Sequence, residues 1–154
     1  MRRGLPLLAL VFMAVLTPTP ARARQGQCSI KQDNLASRSL SRAASLVEIY
    51  KTSRMYPGCL GDGAIAEEAS DDVVVQLSHR WRKSIIDLKR NEANHAFISF
   101  VLRHIDATTD SGDLRAILTK AKTACPAKAV TICRKVEAEA ASALEELKAF
   151  GVGT

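Results

Sequence analysis

Apolar residues recur every three or four positions along most of this chain, and that spacing restricts it to helices. Leu114, Ile117, Leu118, Ala121 and Cys125 stand at offsets 0, 3, 4, 7 and 11, the pattern of a helix with one buried face. No sustained alternation of period two occurs. Val73-Val74-Val75 is the one strand-like run, and it lies inside a helical pattern.

The periodicity predicts about five helices. The first covers residues 37–54, with Leu40, Ala43, Ala44, Val47 and Tyr50 on one stripe. "YPGCLGDG", residues 56–63, then breaks the chain with a proline and three glycines. A second helix starts at or just before Ser70, which is suited to cap it, with Asp71 and Asp72 at the positive end of its dipole. Its stripe is Val74, Leu77, Ser78, Trp81, Ile85 and Leu88, and "AIAEEA" before it reads as a separate short turn. The third helix covers 92–107, capped by Asn91 or Asn94. The fourth covers 113–124, capped by Ser111. The fifth covers 129–150 and stops at Gly151. The expected fold is all-α, a compact bundle of about five helices.

Residues 1–23 have the layout of a secretory signal peptide. Arg2 and Arg3 precede an apolar run at 5–16, and Ala21-Arg22-Ala23 supplies a small-residue cleavage site. The run is shorter than the ~20 residues that cross a bilayer, and no later stretch resembles a span. The expected protein is periplasmic or secreted, with residues 24–154 forming a single helical domain. The signal carries three of the 22 basic residues and none of the 16 acids, which leaves 19 bases against 16 acids and a net charge of +3. Bases and acids are interleaved, so no basic face for nucleic acid is expected.

All four cysteines, Cys28, Cys59, Cys125 and Cys133, lie in the exported part. In an oxidising compartment an even count reads as two disulfides. Three connectivities are open, and Cys28–Cys59 with Cys125–Cys133 is preferred. Eight residues of unbroken helix would hold the second pair ~12 Å apart, whereas a disulfide needs Cα atoms within ~7 Å. That bond therefore requires "CPAKAVTIC" to begin with a turn at Pro126-Ala127-Lys128.

Sequence motifs for chemistry are weak. "DATTDSGDL" offers acidic oxygens between two helices, as a calcium loop would. With Asp106 at position 1, Thr108 and Asp110 fall at positions 3 and 5, but Ile117 falls at 12, where a bidentate Glu is required. A start at Asp110 puts Gly112 at position 3 and Ala121 at 12. No two of His79, His95 and His104 lie three or four residues apart, and Glu92 with His95 is one Glu-x-x-His pair where di-iron bundles use two. Haem attachment, Gly-x-Ser-x-Gly and phosphate-loop patterns are absent. The neighbours Glu67 and Glu68 point about 100° apart on a helix, a poor geometry for a shared catalytic site. No cofactor or metal is expected. "HRWRKSIIDLKR" sets five basic residues around Trp81, whose register with Leu77, Ile85 and Leu88 places it in the core rather than on an acidic partner.

The spaced cysteines "GCLGD", "TACPA" and "TICRK", with the helical body and the signal, give a layout that resembles small periplasmic immunity proteins against type VI secreted amidase effectors. The resemblance implies a protein partner, a secreted effector, and allows a homodimer. On this reading the protein is a non-enzymatic exported inhibitor, immunity or accessory protein. The alternative is a periplasmic hydrolase or other envelope enzyme. Binding residues concentrate on loops held by a rigid scaffold. In "YPGCLGDG", Tyr56 and Leu60 are candidates to fill a partner's pocket and Asp62 to meet a positive rim, with Cys59 holding the loop.

Overall fold

The computed structural model describes residues 28–60 and 63–151. The expected signal peptide and Asp62 lie outside the described residues. Among those residues there are seven α-helices and no strand: α1 Ile30–Leu40, α2 Leu46–Met55, α3 Ala64–His79, α4 Trp81–Arg90, α5 His95–Arg103, α6 Ser111–Thr123 and α7 Val130–Ala149. A 3-10 turn, Ala127–Ala129, precedes α7. The all-α class stands, but five helices become seven because the chain breaks where periodicity alone runs on.

The first predicted helix is two. Ser29-x-x-Gln32 is a capping box that starts α1 seven residues earlier than its stripe suggests, with the Ser29 hydroxyl accepting from the Gln32 amide and the Gln32 side chain accepting from Ser29 N–H. Ser45 then starts α2. Its Oγ accepts from Glu48 N–H at 3.3 Å, and the Glu48 carboxylate accepts from Ala44 N–H. Residues 41–45 turn the chain between them.

The second predicted helix is also two, but its start is earlier than expected. α3 runs unbroken from Ala64, after Gly63 at φ 87°, a value that favours glycine. Ser70 is therefore inside the helix and caps nothing. The break comes at Arg80, between α3 and α4. Side chains bond the carbonyls of this last turn: Ser84 Oγ donates to Gln76 O at 2.8 Å, beside the Arg80 N–H that the same oxygen accepts, and Lys120 Nζ donates to Ser78 O. Arg80 and Lys83 both donate to Ala44 O, which ties the α1–α2 turn to the start of α4. Trp81 is core, 6% exposed, with Nε1 donating to Ala124 O at 2.9 Å.

The later helices follow their stripes more closely. Asn94 caps α5, accepting from Phe97 N–H, but the helix ends at Arg103 rather than 107. Asp110, not Ser111, caps α6: its Oδ1 accepts from Gly112 N–H at 2.8 Å and Asp113 N–H at 3.0 Å. A carboxylate makes a stronger acceptor than a hydroxyl for those amides. Cys133, Val136, Ala140, Ala143, Leu144 and Leu147 are buried along α7, as the stripe predicts. α6 and α7 form the most extensive helix pair, and α3 packs against α1, α2, α4 and α6. One core results, with Leu40, Leu46, Ile49, Leu77, Ile85, Phe97, Leu114 and Ile117 fully enclosed.

Both expected disulfides form, Cys28–Cys59 and Cys125–Cys133, and no described cysteine is free. The second closes as its geometry requires: Pro126 is extended and Ala127–Ala129 forms a tight turn, which brings the two Cα atoms to 6.1 Å. Among the described residues no helix is long and apolar enough to cross a membrane.

Candidate functional site

Residues of both irregular stretches singled out in the sequence, Pro57, Leu60 and Gly63 from the first and Asp106 and Thr108 from the second, line one cleft of about 780 Å³. Its walls come from α2 (Tyr50, Ser53, Arg54), the start of α3 (Ala66, Glu67, Ser70) and α5 (Ala96, Ser99, Phe100, Arg103). Pro57, Leu60, Gly63, His104, Asp106 and Thr108 complete the lining. The Cys28–Cys59 bond pins the first of these loops one residue from Leu60. Such a volume is within the range of ordinary ligand sites.

The sequence-predicted partner residues separate here. Leu60 is 9% exposed and belongs to the cleft wall. Tyr56 is half-buried against the core and does not line the cleft; its carbonyl accepts from Cys59 N–H at 3.0 Å and so shapes the loop. The cleft floor is aromatic instead. Tyr50 lies 5.5 Å from Phe100, and Phe100 lies 4.4 Å from the His104 ring.

Three polar residues from separate segments converge in the cleft lining. Ser70 Oγ lies 2.9 Å from His104 Nδ1 and 2.9 Å from Asp106 Oδ2. One hydroxyl has one proton to give. Ser70 Oγ–H donates to Asp106 Oδ2, so the imidazole donates from Nδ1–H to the Ser70 oxygen. The opposite arrangement would set two acceptor oxygens face to face. Burial holds the His104 pKa below its ordinary value; Asp106 pulls the other way, and Arg103 reinforces the lowering. Burial thus favours the neutral ring, and with Nδ1–H donating to Ser70 that form carries its lone pair on Nε2. Among the described residues Nε2 has no protein partner, nor is it one of their enclosed unsatisfied atoms, so it retains contact with the open cleft.

Ser, His and Asp invite comparison with a hydrolytic triad, but the order is wrong. A triad places histidine between serine and carboxylate, with its free nitrogen taking the serine proton. Here the serine is in the middle and its proton points at Asp106. Ser70 is also only 3% exposed, and the second oxygen of Asp106 is occupied by Thr108 N–H at 2.9 Å and the Thr108 hydroxyl. The cluster is built to position the α5–α6 turn against α3.

Sequence reasoning treated these residues singly and missed their convergence. A signal was present. Four positions before Val74 on the buried stripe of α3 is Ser70, and His104 continues the Phe97, Phe100, Val101 face of α5. A polar residue in register with an apolar face must find a partner.

The acidic oxygens that raised the question of calcium are otherwise engaged. Asp110 caps α6, and Asp106 bonds Ser70 and Thr108. No group of three or more metal-ligating side chains is gathered among the described residues. Burial raises the pKa of Asp71 above its ordinary value, helped by Asp106, Glu67, Asp110 and Asp113, and two of these acids, Glu67 and Asp106, line the cleft.

Asp72, beside it, has a buried Oδ2 without a partner among the described residues. Burial, then Glu68 and Asp71, pushes its pKa up to about 6. A carboxyl whose folded pKa exceeds its unfolded one costs stability when ionised. The cost is full above pH 6 and gone below about pH 4. Asp72→Asn should therefore raise the unfolding free energy at pH 7 by about 1–2 kcal/mol, allowing for solvent screening of a half-exposed group, and by nothing at pH 4. Urea titrations at the two pH values check this; an equal effect at both would contradict it.

No protein-family model matches the chain, and neither a curated protein nor a solved structure matches it.

Proposed function

We propose that the protein is a small exported binding protein, non-enzymatic and of the inhibitor, immunity or accessory kind, which holds a protein partner at the cleft between α2, α3 and α5. The observation that carries this reading is that residues of both irregular loops line one cleft, with a disulfide fixing the first of them at Cys59. A preformed site loses less conformational entropy on association than a mobile one. The two disulfides and the lack of a membrane-crossing helix among the described residues are compatible with a periplasmic or extracellular location. The serine-centred order of Ser70, His104 and Asp106 supports binding over hydrolysis. The layout shared with immunity proteins favours a secreted effector as the partner, and a homodimer fits the same resemblance.

Site-specific photo-crosslinking tests the reading. A photoreactive residue at Ser99, exposed on the cleft wall, is compared with one at Thr131, exposed on α7 and outside the cleft. Irradiation in the native host should yield a discrete crosslinked species from Ser99 at about tenfold the level from Thr131. Equal crosslinking from both positions would place the binding face elsewhere. A gene for a secreted effector beside its own would agree with the immunity role.

A further inference from the structure

We propose that the cleft recognises the free carboxy-terminus of the partner chain, with an apolar last residue and a basic residue shortly before it. This rests on the reading of the cleft as a protein-binding site and names the chemistry it selects. Arg54 on α2 and Arg103 on α5 line the cleft from two neighbouring helices, both exposed. Neither forms an ion pair among the described residues. Guanidinium groups are fork-shaped donors suited to a carboxylate, and a terminal carboxylate is the one anion every chain end carries.

The floor and the back wall fit the rest of such a ligand. Tyr50 and Phe100 offer ring faces and edges to an apolar side chain next to the carboxylate. His104 offers an acceptor. Its Nδ1–H is committed to Ser70, so its unpartnered Nε2 can take a hydrogen bond from a peptide N–H of the incoming chain. Because the ring is buried at 8% exposure and held by Ser70 and Phe100, that acceptor is fixed before the ligand arrives. Glu67 and Asp106 also line the cleft, and Asp71 lies within their electrostatic reach. These acids attract a cation a few residues upstream of the terminus and repel an acidic one. Opposite charges that line one cleft without pairing to each other are thus complementary to a segment that is negative at its end and positive behind it.

Isothermal titration with the peptide N-acetyl-Lys-Gly-Phe, as the free acid and as the C-terminal amide, tests the proposal on the full mature chain. The free acid should bind, and the amide at least tenfold more weakly. Arg54→Gln and Arg103→Gln should each weaken the free acid at least tenfold while leaving Tm unchanged, since both side chains are exposed. Equal affinity for acid and amide, or no binding of the acid at millimolar concentration, overturns the proposal. The same peptide at saturation should suppress the Ser99 crosslink. A crosslink that forms undiminished would show that the partner docks without its chain end; the proposal would fall, and the binding reading would survive. Loss of the Ser99 crosslink preference in the peptide's absence would instead remove the binding reading itself.

Discussion

Replacing Cys28 and Cys59 together by serine is expected to lower the unfolding free energy by about 3–4 kcal/mol, the loop-closure value for a bond joining residues 31 apart. The same double replacement at Cys125 and Cys133, 8 residues apart, should cost about 2–2.5 kcal/mol. The order matters more than either magnitude, because both figures derive from the same dependence on loop length. For a domain stabilised by roughly 5–15 kcal/mol the first loss is a large fraction. It also has a local consequence. α1 has only Ala36 and Leu40 buried, and Ile30 at its start is 83% exposed. Without the bond, its first turns are held by the Ser29–Gln32 cap and little else. Guanidinium titration of the two variants gives the energies, and amide exchange along α1 gives the local effect. Equal costs for the two bonds, or α1 amides protected as before, would show that native contacts rather than loop closure set the stabilisation.

The largest single-residue effect is expected at Phe97. It is 1% exposed, one of the largest fully enclosed side chains, and its ring meets Tyr50 edge-on at 5.4 Å. Phe97→Ala should cost about 3–5 kcal/mol, combining lost burial with the cavity left behind. Tyr50 would lose its support from below while still forming the cleft floor. The variant should therefore lose ligand affinity as well as stability, even at temperatures where it is fully folded. Denaturant unfolding measures the first effect and peptide titration the second. A cost below 1 kcal/mol would mean that α2 and α5 can close over the missing ring.

The helical class and the buried stripes were legible in the sequence because burial on one face of a helix leaves a direct imprint. The stripes of α6 and α7 are found where spacing put them. Helix breaks were less legible. The α1–α2 break contains neither glycine nor proline, yet Ser45-x-x-Glu48 and Ser29-x-x-Gln32 are both capping-box patterns readable by eye. The α3–α4 break had no local signal: it is held by Lys120, about forty residues downstream, and by Ser84 donating back across the junction. Both loops of the cleft were picked out by composition; within the first, Leu60 lines the cleft and Tyr56 packs partly against the core. The residues that give the cleft its character, Ser70, His104 and Arg103, come from helices or their ends. Their meeting depends on how α3 and α5 are packed, which no local pattern records.

The single proton of the Ser70 hydroxyl has a consequence for how this site can change. Exchanging Ser70 for alanine would take the partner from an imidazole N–H and from a carboxylate oxygen at once; exchanging Asp106 would leave the hydroxyl proton without its acceptor, and exchanging His104 would leave the hydroxyl with one bond instead of two. Each single step therefore loses at least one hydrogen bond of the cluster, at a cost of about 1 kcal/mol, or about 1–3 kcal/mol where a buried donor is left unmet. Only a concerted replacement of all three by apolar residues avoids it. The cluster is therefore inherited as one unit, while Arg54 and Arg103, exposed and in no ion pair among the described residues, can change one at a time without cost to the fold. Drift in specificity among descendants of this chain should run through the arginines and leave the cluster fixed.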